Sequence, residues 1–284
     1  MLEEKKQLIY KQLQSFDVKP SDTVLINLNI DKFGLIEGYR RSDYVKLLKE
    51  YFASGGGTFV ALAFTPVKFS FTNKNLPFFD GTQPAYTGAF ANAMLKDKDA
   101  HRSKHPSNSV VAIGQKAKDF VKGLDENGGA YDFARRAIEM DAKVLLIGMS
   151  DYPGFLTHLV EQELKLYRQY WNRFFLKVQL KDRVFKRLDP GGCSSTFGRL
   201  YPEYIKHEAL RVGRINQAYS LCIDAKKAYE IDYNVISKNP NLLICSNPNC
   251  SRCRIYRWKT IWRVPFFVLN KIIHMVYGYA KKCT

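Results

Sequence analysis

The sequence has no apolar run long enough to cross a lipid bilayer, because none reaches about 18 uninterrupted apolar residues. Its first stretch is charged and amphipathic, and it lacks the apolar centre of a secretory signal. No internal repeat or low-complexity block is present, which excludes repeat architectures. The six cysteines do not follow a secreted disulfide pattern. We therefore expect a globular protein of the reducing cytoplasm.

Acidic residues are scarce. The chain has 44 Lys and Arg against 27 Asp and Glu, which gives a formal net charge of +17. Such a surface favours polyanions, namely phosphate-rich cofactors, nucleic acid or anionic membrane. Nucleic acid is the weakest of the three, since no recognition motif accompanies the charge. Nearly half of the excess lies in residues 251–284, which include eight basic residues and no acidic one.

Apolar segments alternate along the chain with segments of helical periodicity, and the apolar ones are continuous runs. This pattern is typical of an α/β fold, a three-layer α/β/α sandwich with a mainly parallel central sheet. The expected strands are 21–30, 58–64, 109–114 and 142–148, and the expected helices include 42–53, 115–122, 131–140 and 153–167.

The pattern changes beyond residue 172. Residues 173–189 predict a hairpin pair of strands, and residues 200–230 predict helix. A basic, cysteine-bearing segment begins near Asn239. We therefore expect one domain over residues 1–238 and a C-terminal extension over residues 239–284.

His158 and Glu161 are three positions apart in an expected helix, so both side chains leave the same face. A carboxylate one turn away can hold the tautomer of an imidazole and raise its basicity, which suits a general base. An ordinary surface pair is the alternative. A zinc site is a further option, but two ligands without a third do not define one.

A second histidine, His105, precedes Pro106, which favours an extended conformation at the histidine. The same loop carries Arg102, Ser103 and Ser109, and it leads into an expected strand. Polar side chains on such a loop can bind a polar ligand. A solvated turn between helix and strand is the alternative.

Several short motifs stand in the same order as in one known family. They are "SDTVLINLNIDKFG" (21–34), "GTFVALAFT" (57–65), "FFDG" (78–81), "TGAF" (87–90), "RSKHPSNSVVAIG" (102–114), "KVLLIG" (143–148) and "THLVE" (157–161). Through them the chain resembles the aminoglycoside 3-N-acetyltransferase family over roughly residues 5–200. The Arg-Ser-x-His-Pro-x-x-Ser element is the most specific of these motifs.

The resemblance implies an acyltransferase that moves an acetyl group from acetyl-CoA to a primary amine by direct attack. It implies that His158 is the general base, with Glu161 beside it and Asp189 as a further acid. The binding residues it implies are, for coenzyme A, Lys32, Phe33, Gly34, Arg102, Ser103, His105, Ser109 and Val110, and, for the substrate, Asn27, Asp80, Asn92 and Thr157. No Gly-x-Ser-x-Gly elbow marks a covalent nucleophile.

The chain departs from the family pattern where the acceptor would bind. Asn27-Leu28-Asn29 replaces His-Ser-Ser after the first strand, and Asn92 replaces a glutamate that could meet a cationic amine. A multiply cationic aminoglycoside favours an acidic site, whereas this chain is strongly basic. We therefore expect an amino sugar carried on a nucleotide or lipid diphosphate, as in polysaccharide biosynthesis. A catalytically silent homologue that still binds coenzyme A is the alternative.

Cys245, Cys250 and Cys253 have a C-x4-C-x2-C spacing that can hold zinc or an iron–sulfur cluster. Three residues could supply the fourth ligand: Cys222, His274 or Cys283. A set of reduced thiols without metal is the alternative.

Residues 255–284 interleave basic residues with apolar and aromatic ones, a pattern that suits an interfacial helix on anionic lipid. Such a helix would place the protein at the inner face of the membrane as a peripheral protein. A helix packed on the enzyme's own core is one alternative, and a binding scaffold whose function resides in this segment is another. Homodimerisation is also left open by the sequence.

Overall fold

The computed structural model describes residues 2–149, 154–166, 176–187 and 193–247, together with the single positions 250, 253, 269, 272 and 273. Among these residues, no helix combines the length and the apolar character that a bilayer span requires.

The described helices and strands alternate through most of the chain. The helices are α1 (Leu2–Ser15), α2 (Ile30–Phe33), α3 (Arg41–Ala53), α4 (Ala89–Met94), α5 (Ala117–Val121), α6 (Asp132–Glu139), α7 (Phe155–Glu163), α8 (Tyr201–Lys206) and α9 (Ala225–Lys238). The strands are β1 (Thr23–Leu28), β2 (Thr58–Leu62), β3 (Lys68–Phe69), β4 (His101–Arg102), β5 (Val110–Gly114), β6 (Lys143–Ile147), β7 (Leu176–Gln179), β8 (Val184–Lys186), β9 (Leu210–Ile215) and β10 (Ala218–Asp224). A short 3-10 helix, Phe197–Leu200, leads directly into α8.

The main sheet has seven strands in the order β4-β5-β2-β1-β6-β10-β9. Strand β1 pairs in parallel with β2 and β6, and the outer strands pair antiparallel. The predicted parallel pairing therefore holds for the three central strands of a mixed sheet. A second sheet, β3-β7-β8, is antiparallel and contains the predicted hairpin.

Two hydrophobic clusters cover the two faces of the main sheet. Along β6, Val144 and Leu146 belong to one cluster while Leu145 and Ile147 belong to the other, because successive side chains of a strand point to opposite faces. Helices α5 to α9 contribute to the first cluster, and α1 to α4 contribute to the second. This arrangement is the predicted three-layer α/β/α sandwich.

The prediction of helix over residues 200–230 is wrong in its middle part. Leu210–Ile215 and Ala218–Asp224 are strands β9 and β10, which form an antiparallel hairpin next to β6. Asn216, with a positive φ of 51°, turns the chain between them. Apolar residues in this window fit both periods, and hydrogen bonding to the free edge of β6 selects the strand.

The direction of β5 determines which loops share an edge of the sheet. Since β5 runs antiparallel to β2, its first residue, Val110, pairs with Leu62 at the carboxyl end of β2. The loop before β5 therefore lies at the edge where β2, β1 and β6 end. In open α/β sheets, ligands bind outside the carboxyl ends of the parallel strands.

Candidate active site

Helix α7 begins after Gly154, which has a positive φ of 66° and lies against the ring of Phe197. A side chain at this position would collide with that ring, and only glycine adopts such a backbone conformation without strain. Gly154 thus lets the 3-10 helix approach the first turn of α7 closely.

His158 and Glu161 form a direct pair one turn apart on α7. The Nδ1 atom of His158 lies 2.9 Å from Oε2 of Glu161, and the two side chains are 9% and 1% exposed. When Nδ1 donates its proton to the carboxylate, Nε2 is left free to accept one. The pair is therefore buried, which excludes the alternative of an ordinary surface pair.

Two aromatic rings fix the plane of the His158 imidazole. The ring of Phe197 lies 4.9 Å from it in an edge-on arrangement, and the ring of Tyr131 lies 5.3 Å away. Contacts of this kind limit rotation of the imidazole and exclude water from its faces. The pair with Glu161 and these rings together hold the imidazole in one orientation.

Thr157 faces a different partner. Its hydroxyl donates to Asp232 at 2.7 Å, and the hydroxyl of Tyr204 donates to the other oxygen of the same carboxyl group at 2.7 Å. Burial raises the pKa of Asp232 to about 7. These bonds tie α7 to α8 and α9. The implied role of Thr157 in substrate binding stays a prediction, and its hydroxyl is already engaged here.

A cavity of about 710 Å³ has His105 in its wall and extends to α7 through Gln162. This volume falls within the usual range of small-molecule sites. Arg183, Lys186 and Arg187 also line it, around strand β8. Among its described lining residues the carboxylate is Glu126, which lies 2.5 Å from Arg183. The cavity wall is therefore basic.

His105 is held in one tautomer by the backbone of its own loop. Its Nδ1 atom accepts hydrogen bonds from the N–H groups of Asn108 at 2.9 Å and Ser107 at 3.3 Å. Desolvation, with a contribution from Arg187, lowers the pKa of His105 to about 4. The ring is thus neutral near pH 7 and carries its proton on Nε2, where it can be donated.

His158 is not among the described lining residues of this cavity, but contacts through Arg187 and Tyr131 join the cavity wall to its ring. A guanidinium nitrogen of Arg187 lies 3.5 Å from the hydroxyl of Tyr131, whose ring contacts His158. The Oε1 atom of Gln162 and the Nε atom of Arg187 are buried and have no hydrogen-bond partner among the described residues. Buried polar atoms without partners are rare in native proteins, so one acceptor and one donor are available to a bound ligand.

Arg102 fixes the loops that follow β2. Its guanidinium donates to the carbonyl oxygens of Gly81 at 3.1 Å, Ala63 at 2.9 Å and Gln83. It also donates to the hydroxyl of Ser109 at 3.1 Å. Contact with coenzyme A stays a prediction for Arg102 and Ser109, while the described bonds give both a structural role.

Ser103 and Val110 likewise bond to each other. The N–H of Val110 donates to the Ser103 hydroxyl at 2.9 Å, and the N–H of Ser103 donates to the Val110 carbonyl at 2.9 Å. The side chain of Val110 is fully buried in the core. Of the predicted coenzyme A residues in this motif, His105 is the one that lines the cavity.

The Lys-Phe-Gly loop follows β1 at the carboxyl edge of the sheet. Asn29 caps α2 by accepting a hydrogen bond from the N–H of Lys32 at 3.1 Å, and the Lys32 side chain is exposed. Phe33 is buried, and its carbonyl oxygen accepts from the Asn216 amide at 2.8 Å. Gly34 has a positive φ of 95° and lies against Gln217. The loop is thus anchored to the β9–β10 hairpin.

The remaining predicted substrate residues lie in separate places. Asn27 is half-buried near the end of β1. Asp80 is exposed and accepts hydrogen bonds from Thr82 within its own turn. The amide of Asn92 bonds to both backbone groups of Ala85, at 2.8 Å and 2.7 Å. Asn92 therefore closes this loop with one acceptor and one donor. An ionised glutamate would offer the acceptor but not the donor.

The three cysteines of the C-terminal spacing converge with Cys193, which precedes the 3-10 helix. Of the three residues that the sequence left open as a fourth ligand, Cys222 is excluded, because it lies in β10 and packs in the main core. Three predicted residues fall outside the described residues: Asp189, His274 and Cys283. The predicted membrane-binding segment 255–284 also lies mostly outside them, and its described positions, Leu269, Ile272 and Ile273, are helical and exposed. The beginning of the predicted extension packs on the domain, since Leu243 is fully buried in its core.

Sequence reasoning missed four residues around the histidines, Tyr131, Gln162, Arg187 and Phe197, and one member of the cysteine cluster, Cys193. Gln162 carried a local signal, because it follows His158 by four positions and so shares its helix face. The other four come from separate elements, and no local spacing links them to the histidine.

A search of curated protein sequences found no matching relative. Among solved structures, aminoglycoside acetyltransferase AAC(3)-IVa as apoenzyme has a TM-score of 0.71 at 17% identity, covering 87% of this chain and 94% of that one. A histidine-to-alanine variant of AAC(3)-IVa in complex with a gentamicin has a TM-score of 0.71 at 16% identity, covering 87% and 93%. AAC-IIIb in binary complex with CoASH has a TM-score of 0.66 at 18% identity, covering 82% and 96%.

These likenesses establish the fold as that of the aminoglycoside acetyltransferases. The family model for aminoglycoside 3-N-acetyltransferase matches residues 25–236, which is most of the chain. The chain therefore belongs to the aminoglycoside 3-N-acetyltransferase family and is an enzyme of the CoA-dependent N-acetyltransferase class. The predicted family and fold class are both confirmed.

Replacing Asp232 by Asn tests the buried network that holds α7. The pKa of Asp232 is raised from 3.8 to about 7 in the folded state, so its protonated form favours folding. This contribution is complete below about pH 4 and is lost as the pH rises towards 7. As the pH rises across that range, we expect Asp232 to lower the free energy of unfolding by about 1.4 kcal/mol per pH unit. Asp232→Asn should abolish this part of the pH dependence.

Urea denaturation at several pH values between about 5 and 7 measures the effect. His105 affects the pH dependence of stability in the opposite direction, because its lowered pKa makes the free energy of unfolding fall as the pH decreases towards 4. Both proteins retain His105, so the difference between their curves isolates Asp232. Parallel curves for the two proteins would contradict the assignment.

Proposed function

We propose that this enzyme transfers an acetyl group from acetyl-CoA to the amine of an amino sugar carried on a nucleotide or lipid diphosphate, with His158 as the general base. Family membership supports acetyl-CoA as co-substrate. The observation that carries the proposal is the buried His158–Glu161 pair at 2.9 Å, on the helix that forms part of the basic cavity.

The reaction requires removal of one proton. The amine nitrogen attacks the thioester carbonyl carbon, a C–N bond forms and the C–S bond breaks. His158 Nε2 takes the proton from the nitrogen, and this proton then passes to the departing thiolate to give free coenzyme A. Glu161 stabilises the imidazolium that forms in between. Proton transfer of this kind contributes about 10² to 10⁴-fold, and positioning of the two substrates adds to it.

The cavity supplies groups that match coenzyme A. The proton on Nε2 of His105 suits the carbonyl oxygen of the thioester or of the pantetheine arm. The unpartnered Oε1 of Gln162 suits an amide N–H of that arm, and the unpartnered Nε of Arg187 suits a carbonyl or phosphate oxygen. Arg183 and Lys186 add positive charge for phosphates.

The charge of the cavity also bears on the acceptor. Three cationic side chains line it against the carboxylate of Glu126, which is already paired with Arg183. A polycationic aminoglycoside gains nothing from such a wall, whereas a diphosphate-linked amino sugar does. The side chain of Asn92, where a glutamate would attract a cation, is neutral and bonded to the backbone.

Replacing His158 by Ala should lower kcat by about 10² to 10⁴-fold, because the attacking nitrogen loses its proton acceptor. Release of free thiol from acetyl-CoA measures the turnover. His207→Ala is the matched control, since that imidazole is 54% exposed and lies next to Glu203 at the end of α8. We expect the control to retain full activity.

The variant Glu161→Gln tests whether His158 acts as a base or only packs against its neighbours. The amide keeps the shape but removes the charge that stabilises the imidazolium, so kcat should fall and its pH profile should shift.

Unchanged turnover in a folded His158→Ala protein would refute the base assignment. Binding of coenzyme A by calorimetry without any turnover would support the alternative of a silent homologue.

Replacing Arg187 by Gln should raise KM for acetyl-CoA by about 10 to 100-fold, the value of one or two charge-assisted hydrogen bonds. The effect on kcat should be much smaller, because Arg187 is joined to His158 only indirectly among the described contacts, through Tyr131. Arg41→Gln, at an exposed position on α3, is the control for loss of one charge. Equal KM values for the two variants would remove the cavity from coenzyme A binding.

The acceptor class is tested by the same thiol-release assay with two panels. Nucleotide-linked amino sugars form one panel and aminoglycosides the other, each at matched concentrations. We expect a higher kcat/KM for the phosphate-bearing panel and a loss of that preference as salt screens the charges. Preference for aminoglycosides would overturn the acceptor proposal and leave the acetyl transfer itself intact.

A further inference from the structure

Four cysteines converge at a place that the acetyl transfer does not use. The Sγ atoms of Cys193, Cys245, Cys250 and Cys253 all lie within 4.8 Å of one another. We propose that these thiolates bind one structural Zn²⁺ ion, which fastens the C-terminal segment to the wall of the active site.

The geometry suits a single ion. Zinc bound by four thiolates has Zn–S distances of about 2.3 Å, which places the sulfurs about 3.8 Å apart in a tetrahedron. Sulfurs already within 4.8 Å reach that arrangement through small side-chain movements. A four-iron cluster has to fit between its cysteine sulfurs and so separates them more widely. None of the four forms a disulfide bond in this structure.

Burial of the cluster is not explained by hydrophobic packing. Cys193, Cys245 and Cys253 are buried, and among the described residues the small cluster they form contains Ile244 and Cys250 besides themselves. A group of five residues, four of them cysteines, buries too little apolar surface to hold a loop. A bound metal ion gives the free energy that such a small cluster lacks.

Polar groups around the sulfurs suit thiolates. The N–H of Cys245 donates to the Cys253 sulfur at 3.5 Å, and the hydroxyl of Ser195 lies 3.2 Å from the Cys193 sulfur. Donors of this kind stabilise the negative charge on sulfur and orient the ligands around a metal. Cys222, by contrast, is surrounded by the apolar core of the main sheet.

The ion would join two segments that already contact each other. The hydroxyl of Thr196 donates to the Leu243 carbonyl at 2.9 Å, and Arg199 donates to the carbonyls of Leu242 at 2.6 Å and Ile244 at 3.3 Å. Between these anchors, Phe197 packs on the His158 ring at 4.9 Å. The ion thus positions a residue that contacts the proposed base, and itself touches no substrate.

The metal content of the full-length protein, purified from cytosolic expression, tests the proposal directly. We expect about one zinc per chain and no labile sulfide. Cys193→Ser should abolish most of the zinc, whereas Cys222→Ala, a cysteine outside the cluster, should retain it. Cys193→His should also retain it, because imidazole is a zinc ligand.

Substitution of Co²⁺ for zinc is a second, spectroscopic test, and it does not require any variant to fold. Wild-type protein loaded with Co²⁺ should show thiolate-to-metal charge-transfer bands and the intense visible bands of a tetrahedral site. Sub-stoichiometric zinc in the wild type, one iron per chain in its place, or full zinc retention in Cys193→Ser would each overturn the proposal. These readouts do not involve acetyl transfer, so they stand or fall separately from the proposed function.

If the ion positions Phe197, removing it should affect kcat more than KM. Thiol-release kinetics before and after treatment with a zinc chelator measure this split, and re-addition of Zn²⁺ should restore the loss. A chelated enzyme with unchanged kcat would show that the ion, although bound, does not support the site.

Discussion

The antiparallel pairing of β5 with β2 determines where the candidate site lies. It brings Val110 opposite Leu62 and so returns the His105 loop to the edge where the three parallel strands end. Had β5 run parallel to β2, this loop would lie at the opposite edge, a full strand length away from α7. Helix α7 follows β6 at the same edge, and the cavity with His105 and Gln162 in its wall lies between these elements.

Helix α7 carries two buried polar pairs on adjacent residues. His158 pairs with Glu161, and Thr157 with Asp232, each through a hydrogen bond shorter than 3 Å. A buried carboxyl group is costly without partners, and removing one partner leaves the other unsatisfied. Burial raises the pKa of Asp232, and the nearby Glu161 raises it further. The helix therefore has little freedom to rotate, which is what a base aimed at one nitrogen requires.

The described hydrogen bonds of the most recognisable motif in the sequence are made mostly within the fold. Arg102 and Ser109 bond to the loops after β2, and Ser103 bonds to Val110, while His105 alone among the predicted residues of the motif faces the cavity. A motif can thus identify a family in part because the fold needs its side chains. The residues most available to a ligand, Gln162 and Arg187, lie outside the motif.

The sequence by itself determined the α/β class, the family, most elements up to α7 and the His158–Glu161 pair, because each depends on local periodicity, local spacing or short ordered motifs. It did not determine the β9–β10 hairpin, since an apolar window of mixed period becomes strand only when a free sheet edge is available to it. It also missed Tyr131, Arg187, Phe197 and Cys193. Cys193 is about fifty to sixty residues from the other cysteines of its cluster, and Phe197 about forty from His158. Only the tertiary structure brings such residues together, because contacts across the fold leave no fixed spacing along the chain.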